Sequence, residues 1–569
     1  VDSITRRFDR LPSDELDRPS AAGLTAWMRA RSPALNPPSA CLALAAAVLL
    51  SRHLRFDAAD PHWPDRDRIV ASPGLGPLMQ AAADLAGAGP EFAAALPDPP
   101  GQSLGAGLGL AMAERILAAR FGRSLVDHRT WVFAAPADLA TGLGQEAAAA
   151  AAALRLGRLT VLAALPNAEP FPPGFAADWT VRRTDAGDEA SLQAALSAAL
   201  RSQKPTLIAC IGCPPEPKEV APAADGELLA AGALGGRGAG ARRAWLRRLA
   251  RHSAREEFDR TLTSRLPAGW HRFFSDPGPL LAPGQTCIAP TAANRQAFAK
   301  LSALLPELVC LPAEGSGTSL WQTNIQALAC AAGGMTRHGG VIPVVHAPLC
   351  SVDSLGPALR TAAEAGLRVV HIVIEPENPC PTSGQRAGLR AMRNVFVFRP
   401  ADASETLECA ELALRRTHGP SVLFLSETAC APTAEKPSRT RCVHGGYVAA
   451  EPSGRRDATI IASGAELPAA LRAQAQLSEA GVAAAVVSLP CWELFANQEP
   501  AWRDQILGSA PRIGVEAGSG FGWERWLGPT GVFVGSDAGP ITCDKIAAAV
   551  LNAVGWTKST KQPLRRRTS

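Results

Sequence analysis

No run of about 18 apolar residues occurs in the chain, so no membrane-spanning helix is predicted. The longest apolar run, Cys41 to Leu50, stops at Ser51-Arg52-His53. Charge of one sign is lacking too. The 57 basic and 52 acidic residues leave a net charge of +5. That is too mild for a nucleic-acid partner, and no dense basic stripe precedes the tail. Lysine is missing before Lys204. No disulfide framework is visible either. The 13 cysteines are scattered and read as reduced, mostly buried thiols of a cytoplasmic protein. The one C-x-x-C pair, Cys210-Ile-Gly-Cys213, has no second ligand pair, so it reads as strand-end thiols rather than a metal or redox centre. No apolar signal core follows Asp2, Arg6, Arg7, Asp9 and Arg10.

What is present is size and alternation. The 569 residues favour about three domains. Hydrophobic residues make up 47% and charged residues 19%, enough for large cores. Short apolar runs alternate with Ala/Leu-rich helical stretches, which argues for α/β architecture with parallel sheets. Strands are predicted at Trp131–Ala135, Leu159–Ala163, Pro205–Cys210, Val341–Val345, Val369–Ile374, Val395–Phe398, Ser421–Leu425, Ala458–Ala462, Ala483–Ser488 and Arg512–Val515. Helices are predicted at Gln145–Leu156, Leu355–Ala365 and Ala403–Arg416. The segment GALGGRGAGARR (Gly232–Arg243) reads as a flexible connector. Pro/Gly-rich passages suggest domains at 1–275, 285–431 and 442–557, with a solvated basic tail over 558–569.

Longer segments carry a family likeness. They are VVSLPCWELFANQ (Val486–Gln498), VEAGSGFGWERWLG (Val515–Gly528), HGGVIP (His338–Pro343) and FRPADASET (Phe398–Thr406). FDAADPHWPDRDRIVAS (Phe56–Ser72) and AMAERILAARFGRSLVDH (Ala111–His128) add to them. In order and spacing the chain resembles the transketolase family over about 500 residues. The resemblance implies three doubly wound parallel-sheet domains: diphosphate-binding-like, pyrimidine-binding-like and transketolase C-terminal-like. It also implies a homodimer with thiamine diphosphate and magnesium in clefts between chains.

The positions that such chemistry needs depart from the family pattern. Burying a diphosphate requires a divalent cation with oxygen ligands. The family supplies a G-D-G aspartate after a strand and an asparagine further on. Here Pro136 stands at the aspartate, and Pro166 or Asn167 at the asparagine. Asp138 is two residues past the missing ligand, and its plain reading is an N-cap or a solvated loop residue. Ile325 takes the place of the glutamate that shifts the pyrimidine tautomer, and isoleucine carries no proton. Family histidines are replaced by Leu35, Leu75 and Gln326. Ser351 and Ser354 stand where aromatic rings stack, and Glu427 stands at a phosphate-binding arginine. Gly101 and Gln102 persist as vestiges of the cleft, together with Ser351. Gly105-Ala-Gly107-Leu-Gly109 looks like a phosphate loop, but helix packing explains it as well. His338 reads as structural, and Arg399 as an arginine paired with Asp402 or a loop carbonyl.

Scaffold segments thus stay close to the family while metal, tautomer, stacking and phosphate positions do not. The first expectation is a pseudoenzyme with a binding or regulatory role and no cofactor, catalytic or metal residue of its own. It would pair with itself or with an active homologue, and contact neither nucleic acid nor membrane. A divergent active transketolase using Asp138 and Asn167, with thiamine diphosphate and magnesium, is the alternative. A third is a cleft repurposed for an uncharged ligand and lined by Leu35, Leu75 and Ile325.

Overall fold

The computed structural model describes residues 21–31, 35–96, 99–165, 172–175, 178–212, 234, 236, 238–275, 285–311, 325–377, 384–433, 440–536 and 539–555. Pro166, Asn167, Cys213 and the basic tail lie outside them. The chain forms two compact units, one of residues 1–265 with 317–341, the other of residues 266–316 with 342–569.

The first unit holds a six-stranded sheet. Its strands are β1 (Arg68–Ala71), β2 (Ala93–Ala95), β3 (Thr130–Ala134), β4 (Leu159–Leu165), β5 (Thr180–Asp185) and β6 (Thr206–Ile211). Their order is β2-β1-β3-β4-β6-β5, and every pairing is parallel. Parallel strands are covered on both faces, which is why Thr130–Ala134 is buried at every position rather than at alternate ones. The chain leaves β1 toward β2 and leaves β3 in the opposite direction, toward β4. The space beyond the carboxyl ends of β1 and β3 is therefore the topological switch point, where open α/β sheets build their crevices.

One face is covered by the alanine-rich helix Pro37–Val48, buried nearly all round because small side chains let it lie flat on the sheet. On the other face runs the long helix Gln102–Phe121. A second helix, Ile325–His338, lies against it at glycine contacts. A Cβ on Gly109 would sit 1.9 Å from the Ala331 carbonyl oxygen, and one on Gly334 2.1 Å from that of Ala106. The Gly-x-Gly-x-Gly run is a helix-packing surface.

The second unit contains two sheets. The first is β7 (Leu308–Leu311), β8 (Ile342–Pro348), β9 (Val370–Glu375), β10 (Phe396–Phe398) and β11 (Ser421–Ser426), in the order β10-β11-β9-β8-β7 and wholly parallel. The other is β12 (Tyr447–Ala450), β13 (Ala458–Ala462), β14 (Ala484–Ser488), β15 (Arg512–Val515) and β16 (Val532–Val534), in the order β12-β14-β13-β15-β16. Only its edge strand β12 is antiparallel. Three α/β sheets are thus present, as the alternation predicts. The predicted connector over 232–243 is corrected in part: a helix spans Ala239–Ala250, with Trp245 anchoring it in the core.

Candidate functional site

The first switch point is built from four short-range events. β1 ends into Ser72, whose hydroxyl accepts the Ala135 N–H at 3.2 Å. β3 ends into Ala135 and Pro136, and the fixed φ of proline opens the short helix Pro136–Ala140. Gly101 precedes the long helix with φ +94°. A Cβ there would meet Thr141 Oγ1 at 2.5 Å, so glycine is required twice over. Asp138 then turns inward, 1% exposed. Its Oδ1 accepts the Gly101 N–H at 2.8 Å and the Ser103 hydroxyl at 3.0 Å.

Asp138 is therefore neither an N-cap of its own helix nor a solvated loop residue, which corrects the plain reading given above. It is an anion lodged at the amino end of the Gln102–Phe121 helix, where unpaired N–H groups and the helix dipole favour negative charge. The Pro136 side chain offers no ligand atom. Asp138 Oδ1 already accepts two hydrogen bonds. The described donor set here does not fit a magnesium-bound diphosphate.

The other predicted positions fall in place as follows. Leu75 is fully buried in the apolar core beneath helix Pro37–Val48, and Leu35 packs against that core. They fill space rather than line it, which removes them from the proposed apolar lining. Beside Leu35, Asn36 caps the helix, accepting the Ser39 N–H at 2.9 Å and donating to the Gly74 carbonyl at 2.7 Å. Ile325 begins the helix Ile325–His338 and is 5% exposed, with Gln326 half-buried beside it. Gln102 is buried in the first turn of its helix. Ser351 lies at the head of helix Val352–Glu364 and caps it with no side-chain hydrogen bond. Asp353 and Ser354 are exposed, and Asp353 accepts from Gln385 at 2.9 Å. Glu427 is exposed.

His338 sits 2.9 Å, Nε2 to Nε2, from His128, both rings buried. Burial holds both well below the ordinary imidazole range, so both are neutral. His338 Nδ1 lies 2.9 Å from the Gly339 carbonyl and must carry the proton. Its Nε2 therefore accepts from His128 Nε2–H. The pair joins the Ile325–His338 helix to the strand-entry loop of β3. Nothing in the sequence pointed to His128 as the partner, because 210 residues separate the two.

Arg399 is 2% exposed and does not pair with Asp402. Its Nη2 lies 3.2 Å from Glu466 Oε1 and 3.3 Å from Glu375 Oε2, and Nη1 donates to the Ser463 carbonyl. Asp402 instead caps its own helix through the Glu405 N–H at 2.8 Å and accepts from Thr433. Arg390 grips Glu516 with two bonds of 2.7 and 2.9 Å, and Arg386 pairs with Glu375. Burial opposes the charge of Arg399, but Glu375, Glu466 and Glu516 outweigh it and hold the guanidinium above its ordinary range. Burial would raise Glu516; Arg390 and Arg399 instead bring it to about 2. This cluster occupies the second unit's own switch point, between β13 and β15. Trp492, Trp523 and Trp526 are buried beside it in edge-to-face contact, as core residues.

The described architecture is that of a thiamine-diphosphate-dependent fold. Residues 86–165 match the transketolase thiamine diphosphate binding domain, and residues 445–538 the transketolase-like C-terminal domain. The chain is 32% identical to the transketolase of Sinorhizobium medicae over 87% of its own length and 85% of that protein. It is 32% identical to the transketolase of Cereibacter sphaeroides, covering 86% and 89%. The transketolase of Leishmania mexicana superposes with a TM-score of 0.82 over 96% of this chain and 99% of that one, at 23% identity. The chain belongs to the transketolase family.

Proposed function

We propose that this family member is a pseudoenzyme: a transketolase scaffold with a binding or regulatory role and no two-carbon transfer. One observation carries the reading. At the switch point where a diphosphate would sit, the Pro136 side chain supplies no ligand atom and the Asp138 carboxylate takes up the Gly101 N–H. Ile325 at the glutamate position and Leu75 and Gln326 at histidine positions support the same reading, since one missing base alone typically costs about 10²–10⁴ in rate. The protein works as a cytoplasmic homodimer, with domains at 1–275, 285–431 and 442–557 and neither nucleic acid nor membrane as partner. An active homologue is a second candidate partner, though a chain changed on both sides of the cleft would complete no site for it. The direct test is sedoheptulose 7-phosphate formation from pentose phosphates with thiamine diphosphate and magnesium supplied. No product above the uncatalysed background is expected; steady turnover ends the proposal.

A second reading, a divergent active transketolase, is favoured by the 32% identity to enzymes of that name along most of their length. It requires Asp138 and Asn167 to replace the lost ligands. Calorimetry separates the two: magnesium-dependent binding of thiamine diphosphate belongs to the second reading only.

A further inference from the structure

The amino ends of β4 and β6, at the opposite edge of the six-stranded sheet, flank a half-open cavity of about 300 Å³. A seven-residue strand separates it from the switch point by roughly 20 Å. Its walls are the second half of the Gln102–Phe121 helix and the loops that enter β4 and β6. Gly157 makes the wall possible. A Cβ there would lie 2.8 Å from the Gln203 backbone, so the two entering loops touch. Arg155, with φ +49°, holds a backbone conformation that costs a non-glycine residue energy.

Four arginines face this space: Arg115, Arg123, Arg155 and Arg158. Three are held in place by hydrogen bonds, and Arg123 also lies 3.6 Å from Asp127 Oδ1. Arg115 donates to the Leu154 carbonyl, Arg123 to Glu114 Oε1, and Arg158 to Asp127 Oδ1. Each guanidinium has five donors, so most of them stay available, and no hydrogen bond engages the Arg155 side chain among the described residues. Three carboxylates, Glu114, Asp127 and the Asp178 that attracts Arg155 from outside the hollow, stand against four cations, so positive charge is still in excess. Helix ends alone do not explain this. Three helices finish nearby, at Phe121, Ala153 and Arg201, and each contributes about half a negative charge. Those ends call for one or two cations, not four converging on one hollow.

We propose that this cavity is a binding site for a small, multiply charged phosphate-bearing anion, separate from the family crevice. Planar guanidinium forks fixed on one side match phosphate oxygens two at a time. Glu114 forms the floor. It is 1% exposed, and burial raises it to about 7 against the pull of Arg123. Arg158 also lowers it and Asp127 raises it, so the floor is poised to give up its charge when an anion arrives.

The test is titration calorimetry of the full chain with inorganic pyrophosphate in metal-free buffer, with sodium chloride at equal ionic strength as the control. Saturable one-site binding is expected. The double variant Arg115→Ala, Arg155→Ala removes two exposed forks and should weaken it by about 100-fold. At pH 8, about one unit above the value at which burial holds Glu114, Glu114→Gln removes the opposing charge and releases Arg123, so it should tighten binding by about tenfold. A gain of affinity cannot come from a misfolded variant. Absence of saturable heat, or binding indifferent to all three substitutions, overturns the site.

Discussion

Two switch points in this chain are closed in different ways. Between β1 and β3 the closure is sparse: one carboxylate, two backbone N–H groups and two hydroxyls, with Ser72 Oγ 3.4 Å from Ser103 Oγ. Between β13 and β15 it is dense: Arg399 projects from the neighbouring sheet into Glu466 and Glu516, with Arg386, Arg390 and Glu375 completing three cations and three anions. Parallel strands end in a row of unsatisfied backbone groups, so both places attract polar residues. The difference shows that a crevice position is not by itself a site. What matters is whether any donor or acceptor is left over. The dense closure welds two sheets together. The sparse one joins the start of one helix to the ends of two strands.

The comparison breaks most visibly at Arg399. Arg399→Leu leaves Glu466 buried without its cation and Glu375 with Arg386 alone, and such one-sided losses cost about 3–5 kcal/mol. Urea denaturation should show a drop of that size. If the variant is as stable as the parent, the cluster is ornamental and the contrast collapses. Gly109→Ala tests the scaffold that carries Gly101. Its Cβ would meet the Ala331 carbonyl oxygen at 1.9 Å, and helices forced apart should lose about 3 kcal/mol. Gly76→Ala is the matched control, since nothing lies within 4 Å of its Cβ. Its stability should change by less than about 1 kcal/mol.

Acid sharpens the contrast next. Glu516 is held at about 2, below its ordinary value of 4.5. It contributes stability that is present above pH 4.5 and lost as the pH falls through about 2. The contribution is up to about 3 kcal/mol. Glu516→Gln should therefore be less stable than the parent at pH 7, with the gap narrowing between pH 4.5 and 2. A gap constant across that range would mean the cluster's charges do not hold it together. Glu405 runs the other way. Burial pushes it up to about 7, so what its proton contributes is lost as the pH rises through 7.

Much of the fold was legible. Ala458–Ala462 and Arg512–Val515 are strands with those limits, because interior parallel strands are unbroken apolar runs. Shorter or polar strands escaped. β5 reads Thr-Val-Arg-Arg-Thr-Asp and β2 is three alanines, and neither carries a strand period. Of the site, Pro136 and Asp138 could be singled out from the order of residues after β3. The partner of Asp138 could not, because Gly101 lies 37 residues away and is brought there by the packing of two helices. Arg399 shows the same limit: Asp402 is its neighbour in sequence, but Glu466 is its neighbour in space.

The finest test is at Asp138 itself. Asp138→Ala strips two donors, the Gly101 N–H and the Ser103 hydroxyl, of their acceptor in a buried place. Each orphaned group costs about 1–3 kcal/mol, less whatever water recovers, so a loss of about 2 kcal/mol is expected. Asp138→Asn keeps an acceptor oxygen but not the charge. It should lose about 1 kcal/mol, the part that the helix end owes to a full anion. The ranking separates two meanings of the sparse closure. If Asn equals Asp in a denaturation series, the carboxylate is only a hydrogen-bond acceptor and its charge plays no part in closing the switch point. If Asn falls between Asp and Ala, the helix end is being neutralised from within. Adding phosphate should then stabilise the Ala variant more than the parent, because the variant's Gln102–Phe121 helix has lost the carboxylate at its amino end.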